Sequence, residues 1–291
     1  YKSIRDQRQE KEKGLIKDKK DVFYPDYDAL KAEMDEDEAK LLFTVKNFDG
    51  LVVKKVFKSP SKGFNRFHWD LRYEVTNPIN LSSSSFYNPF AGVSEGTLVE
   101  PGTYTVQMDY FVDGESRPLV DAKEFTVTLL DNTVLPAEDK EAKVRFQRDV
   151  ATLQGEISSY SRILSEISDK IKYFEVAVLR LEKPIEELSS QMKKVKDDLR
   201  DINILFYGDN VKRRLDMQQI PTPSSRVGII ANEQKYSTAS PTGTHVNSLK
   251  IAKEEFVPLK SRVDMLVENV KSIEDKMKSL GAPYTPGRYE N

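Results

Sequence analysis

The feature that most restricts this sequence is a change of hydrophobic period at Pro136. Upstream, apolar side chains recur at every second residue; downstream, they recur at spacings of three and four. A period of two puts alternate residues on one face of a strand, and a three-and-four repeat puts them on one stripe of a helix. Both patterns in one chain, in separate halves, predict an α+β protein in two parts. The first is an antiparallel β-sandwich over residues 21–135. The second is an antiparallel three-helix bundle with coiled-coil packing over residues 136–282.

The strand half is read from alternation and turn chemistry. Residues 41–46 and 51–56 flank Asn47-Phe48-Asp49-Gly50, whose Asp-Gly pair tolerates positive φ and predicts a hairpin. In residues 66–73, Phe67, Trp69, Leu71 and Tyr73 alternate with Arg66, His68, Asp70 and Arg72, which predicts a strand with an aromatic face and a charged face. Pro101-Gly102 reads as a type II turn. Tyr104, Val106, Met108, Tyr110 and Val112 then alternate with mostly polar residues, Asp113-Gly114 opens the next loop, and Phe125, Val127 and Leu129 form a last inward row. About six short strands at this turn density predict a sandwich, with Trp69, Tyr104 and Phe125 in its core.

The helical half carries three stripes. Residues 146–181 place Val150, Leu153, Ile157, Leu164, Ile167, Ile171 and Phe174 on one face. The stripe resumes after Pro184 as Leu188, Met192, Val195, Leu199 and Ile202. A hairpin at Glu182-Lys183-Pro184 is expected, with one kinked helix as the alternative. Gly208 closes the second helix. Residues 208–243, rich in Pro, Ser and Thr, read as a long connection with at most a short helix near residues 225–234. The third stripe runs from Leu249 through Phe256, Val263 and Leu266 to Met277, with a kink expected at Pro258 and a stop at Gly281. Ile157, Leu164 and Leu266 are expected core residues. Residues 1–20, with eight Lys or Arg and four Asp or Glu, read as a charged tail or linker, and residues 283–291 as a C-terminal tail.

Composition narrows the function classes. The 291 residues hold 45 basic and 47 acidic side chains, a net charge of −2, which lacks the basic surface that nucleic-acid binding requires. No apolar run reaches the roughly 18–20 residues of a membrane span. With no cysteine, disulfides, thiolate metal sites and a Cys nucleophile are excluded. His68 and His245 have no second His or carboxylate at metal-ligand spacing, and surface or capping roles are expected for both. There is no Gly-x-Ser-x-Gly elbow and no glycine-rich phosphate loop, so neither an active site nor a cofactor is expected. The chain opens on Tyr with no signal-peptide pattern, which predicts a processed or truncated piece of something longer.

Candidate contact residues lie on the first half. Phe86, Tyr87 and Phe90, after the run Ser82-Ser83-Ser84-Ser85, form an aromatic loop that could stack on a sugar or anchor a protein, or tuck in and close the end of the sandwich. Arg66, His68 and Arg72 lie on the charged face, open to solvent or to a neighbouring domain. Lys212, Arg213 and Arg214, near Asp201 and Asp209, read as part of a solvated helix face.

Several of these motifs look alike to known ones. The segments LFTVKNFDGLVVKKV, KGFNRFHWDLRY and LVEPGTYTVQM resemble an immunoglobulin-like domain found in flagellar hook-capping proteins and in secretion-associated tails of bacterial envelope proteins. Gly63, Asn65, Trp69, Asp70, Pro101, Gly102 and Tyr104 carry that likeness. With the helical stripes, Pro241-Thr242 and Thr285-Pro286-Gly287-Arg288, nearly everything after Val22 resembles the C-terminal region of bacterial proteins built on sortilin-type, BNR-repeat β-propellers. The insertion containing Ser82–Phe90 departs from the shortest versions of that pattern. The resemblance implies a non-catalytic structural or interaction module of an exported protein, in the periplasm, on the outer membrane surface or outside the cell. Its partner would be its own propeller or an envelope complex. A carbohydrate-binding accessory module is the alternative, and any glycosyl hydrolase activity would belong to the propeller.

Overall fold

A computed structural model describes residues 2–81, 95–130, 135–182 and 185–288. It is mixed α+β and divides into two compact units, Tyr1–Glu74 with Leu98–Asp131, and Val75–Thr97 with Asn132–Asn291. The described residues 75–81 and 95–97 group with the helices.

The first unit opens with α1 (Ile4–Lys17), within residues 1–20 where a charged tail or linker was expected, and α2 (Tyr27–Asp35), within the residues expected to belong to the sandwich. Ser3 and Asp6 form a capping box on α1, and Asp26 caps α2. Arg8 on α1 pairs with Glu33 on α2, and the Ile4 amide donates to Glu36 at 2.8 Å. Neither helix buries a residue, so polar contacts rather than apolar burial hold this pair.

Its sheet is antiparallel, in the order β2-β1-β3-β4, from β1 (Lys40–Asn47), β2 (Val52–Lys58), β3 (Gly102–Val112) and β4 (Glu115–Val127). The turn at Asn47-Phe48-Asp49-Gly50 forms as its chemistry predicts, with Gly50 at φ 78 and its amide donating to Asn47. Asp113 and Gly114 both take positive φ, the geometry of a two-residue hairpin turn. Gly102 keeps ordinary backbone and starts β3, so the expected type II turn, which needs positive φ there, does not form.

Among the described residues there are four strands rather than about six, because residues 66–73 are not a strand. Leu71 sits at φ 56, in the left-handed region, and the Asp70 carboxylate accepts from the Arg72 amide at 3.2 Å. That turn breaks the alternation, leaving Leu71 exposed and joining Arg72 to Leu98 by a single bridge. Leu129, expected to face inward, is also exposed.

The second unit is built on two long helices, α3 (Lys140–Val178) and α7 (Gly243–Ser279). Asp149 pairs with Lys253, Glu156 with Lys260 and Lys170 with Glu274, each 104 residues apart, so the two helices run parallel and in register. Residues 149, 156, 163 and 170 are heptad-spaced, and so are 253, 260, 267 and 274; the rung without charge holds Ile163 and Val267, both partly buried. Slipping α3 by one heptad would set either Ile163 against Lys260 and Lys170 against Val267, or Glu156 against Val267 and Ile163 against Glu274. The pattern therefore admits one register.

The third position of this core is filled in two pieces. α4 (Glu186–Tyr207) runs antiparallel to α7, with Glu187 on Lys276 at one end and Phe206 against Phe256 at the other. There α4 ends, at Gly208 with φ 83. α6 (Pro223–Gln234) continues in the same direction, from Arg226 beside Glu255 to Gln234 beside His245. Val227 and Ile230 are each 1% exposed. The expected long connection of residues 208–243 is thus, in its second half, a further stretch of the core. Its first half, with α5 (Asn210–Arg214), leaves the core and returns.

Ile157, Leu164 and Leu266 are buried as expected, and α7 passes Pro258 without interruption. The C-terminal segment is packed rather than free: Thr285 and Arg288 are buried, and the Arg288 guanidinium donates to the carbonyls of Ala282 and Pro283 at 3.2 Å.

Residues 75–81 lie along the outer face of α3. Thr76 donates its hydroxyl to the Ala151 carbonyl at 2.6 Å, and Arg162 donates to Ile79 at 2.9 Å. Between them a Cβ on Gly155 would stand 2.4 Å from the Thr76 carbonyl oxygen. Gly155→Ala should therefore destabilise the helical unit by about 1–3 kcal/mol through this backbone clash, despite the better helix propensity of Ala. Urea denaturation measures the loss, and faster proteolysis at Asn77 would place it at this segment.

Candidate functional site

In the sheet unit, the residues expected to make contacts rest on an aromatic cluster. The register sets Asn47 opposite Tyr104 and Tyr104 opposite Phe125, so these share one face with Phe43 and Val45. The irregular segment covers this face. Phe67 stacks on Phe43 at 4.3 Å, and Trp69 packs on Tyr104 at 5.4 Å and on Phe125 at 6.1 Å. The Trp69 indole donates to the Arg72 carbonyl at 2.9 Å. Tyr104 is fully buried, whereas Trp69 and Phe125 are half-buried.

Two polar bonds tie the cluster to residue 100. The Tyr104 hydroxyl donates to the Glu100 carbonyl at 2.7 Å, and the Tyr73 hydroxyl donates to the Glu100 carboxylate at 2.8 Å. Burial, reinforced by the Glu100 carboxylate and Tyr73, pushes the Tyr104 phenol well above its ordinary value. It stays a neutral donor.

With the aromatics turned inward, Arg66 and His68 are exposed on the outside of the same segment, and Arg66 lies over the exposed Phe64 ring at 5.9 Å. Arg72 is half-buried and held through its backbone, which separates it from the other two. Arg66 and His68 are therefore both exposed on this segment, whereas Arg72 is part of its support. Phe86, Tyr87 and Phe90 lie outside the described residues.

In the helical unit His245 is part of a network. Its Nε2 lies 2.7 Å from a Glu233 carboxylate oxygen, and its Nδ1 accepts from the Thr242 amide at 3.3 Å and faces the Gln234 amide nitrogen at 3.1 Å. Thr242 in turn accepts from the His245 amide, completing a capping box. This imidazole fixes the start of α7 against the end of α6, the capping alternative of the surface or capping roles expected. Gln147 adds a bond from α3 to the Gln234 carbonyl at 2.8 Å.

A groove of about 680 Å³ lies between α3 and α4, floored by Ile171, Leu199, Ile204 and Tyr207. Its rim cations are engaged: Lys172 with Asp169, Lys196 with Glu175, and Arg200 with Asp197. Sequence reasoning expected these two helices to form a hairpin but missed the groove, whose wall is completed by Gly208, Asp209, Asn210 and Val211. Among the described residues no group of three or more His, Asp or Glu side chains could hold a metal ion, and no helix is long and apolar enough to cross a membrane.

No family model, no curated protein and no solved structure matches the chain.

The turn at Leu71 gives a sharp test of this site. Leu71→Val should destabilise the sheet unit by about 1–2 kcal/mol, because a β-branched residue tolerates positive φ badly, while Leu71→Gly should be close to neutral. A strand at residues 66–73 would reverse that order, and thermal unfolding of the two variants distinguishes them. Trp69→Ala should cost about 3 kcal/mol, the lower end of the range for a large aromatic because the ring is half-buried. An unchanged Tm would remove Trp69 from the core.

Proposed function

We propose that the chain is a non-catalytic structural and interaction module, the C-terminal part of an exported, propeller-bearing bacterial envelope protein. In this reading the sheet unit is an immunoglobulin-like sandwich and the helices form a three-stranded bundle. Its partner is its own propeller or an envelope complex, and its place is the periplasm, the outer membrane surface or the cell exterior.

The observation that carries the proposal is the division of labour in residues 64–72. Phe67 and Trp69 are spent on the sheet, while Phe64, Arg66 and His68 face outward from a segment that the Trp69 indole and the Asp70 turn hold in shape. A surface so anchored loses little freedom on binding, which favours shape-complementary contact. The immunoglobulin-like reading is further supported by the Tyr104 hydroxyl, which bonds to a backbone carbonyl four residues upstream, as in the tyrosine corner of such domains.

The test is amine cross-linking of the native envelope extract, followed by mass spectrometry of peptides joined to this chain. Lys58 and Lys62, both exposed and just upstream of the surface in sequence, are the expected attachment points. Propeller or envelope-complex peptides should be recovered there, and Arg66→Glu with His68→Glu should reduce them. Links confined to the chain itself would defeat the proposal, and retention of glycan by the same protein would favour a carbohydrate-binding module.

A further inference from the structure

We infer that the excursion between α4 and α6 is a peripheral docking element for an anionic lipid surface. The excursion interrupts one run of the core. Phe206 at the end of α4 packs on Phe256, and Arg226 near the start of α6 meets the adjacent Glu255, so the intervening residues are not needed to span a distance. They project instead, and every residue from 210 to 218 is exposed.

The projection is ordered. The Asp209 carboxylate caps the amides of Val211 and Lys212, and the Gln219 side chain accepts from the Asp209 amide at 2.8 Å. Arg213 donates to the Tyr207 carbonyl at 2.6 Å and to Asn210 at 3.1 Å, and the Met217 amide closes on Lys212 at 2.9 Å.

What this ordered tip displays is apolar and basic. Val211, Leu215, Met217 and Ile220 are 66%, 64%, 53% and 82% exposed. Lys212, Arg213 and Arg214 stand among them, and none is paired with a carboxylate among the described residues. Along the long helices several lysines, Lys170, Lys196, Lys253, Lys260 and Lys276, have acidic partners. Asp209 is turned onto its own amides, which leaves Asp216 as the exposed acid of the tip.

Apolar side chains beside uncompensated cations, on a convex projection, are what an anionic bilayer interface accommodates: the apolar groups enter the headgroup boundary and the cations meet lipid phosphates. A protein partner would require a matching cavity, whereas a lipid surface deforms around the tip. The exposed Ile204 and Tyr207 extend the apolar surface into the groove beside α3.

The full chain tests this by co-sedimentation with vesicles of equal phosphatidylcholine and phosphatidylglycerol, against vesicles of phosphatidylcholine alone. Binding should require phosphatidylglycerol and fall as salt rises. Lys212→Glu with Arg214→Glu should lower the partition coefficient roughly tenfold or more, and Val211→Ser with Leu215→Ser should lower it independently. All four positions are exposed, so an unchanged Tm should show that the variants fold. Failure of the wild-type chain to bind the mixed vesicles would overturn the assignment, as would binding that both double variants retain. A chain that ignores vesicles but holds an acidic amphipathic peptide at this tip would point to a protein partner and also overturn it.

Discussion

The parallel pairing of α3 with α7 is the constraint on which the helical unit depends. Helices of 39 and 37 residues are about 58 and 55 Å long at 1.5 Å per residue, and their shared seam needs cover along that whole length. α4, with 22 residues, covers about 33 Å, and α6, with 12, adds about 18 Å. Neither would suffice alone. Because the ends of the two pieces meet near Phe256, the residues between them are released from the core.

The ladder that sets this pairing is weak in energy and strong in specificity. Each exposed ion pair of the Asp149–Lys253 kind contributes about 0.2–1 kcal/mol, which is small beside the apolar core below it. Its sign reversal across Ile163 and Val267 matters more, since a slip of one heptad sets charge against partly buried apolar side chains. Residues 75–81 and 282–288 add local closure, through Gly155 on α3 and through the buried Arg288 beyond α7.

The sheet unit uses another means to the same end. Four strands leave one aromatic face to be covered, and an irregular segment does this with two rings, one hydrogen-bonded indole and a left-handed residue. The proposed contact surface and the proposed lipid-docking tip are alike in one respect, since each is held by its own side-chain-to-backbone bonds. Their chemistry differs: the first presents Phe64, Arg66 and His68, and the second combines aliphatic side chains with uncompensated cations.

Local periodicity by itself determined the two-part α+β organisation, the heptad stripes through Ile157, Leu164 and Leu266, the turn at Asp49-Gly50 and the helix stops at Gly208 and Gly281. These are short-range effects, set by side-chain spacing and by which residues tolerate positive φ. The tertiary structure alone decided the rest. Residues 66–73 alternate as a strand does, yet the bond from the Trp69 indole to the Arg72 carbonyl and the turn at Leu71 take them out of strand geometry. Residues 223–234 have a weak local pattern, yet Val227 and Ile230 are buried because α4 ends before the seam does. Direction and register between helices depend on pairs 104 residues apart. Periodicity within one segment says which face is apolar, but only contact with a distant partner says what that face meets.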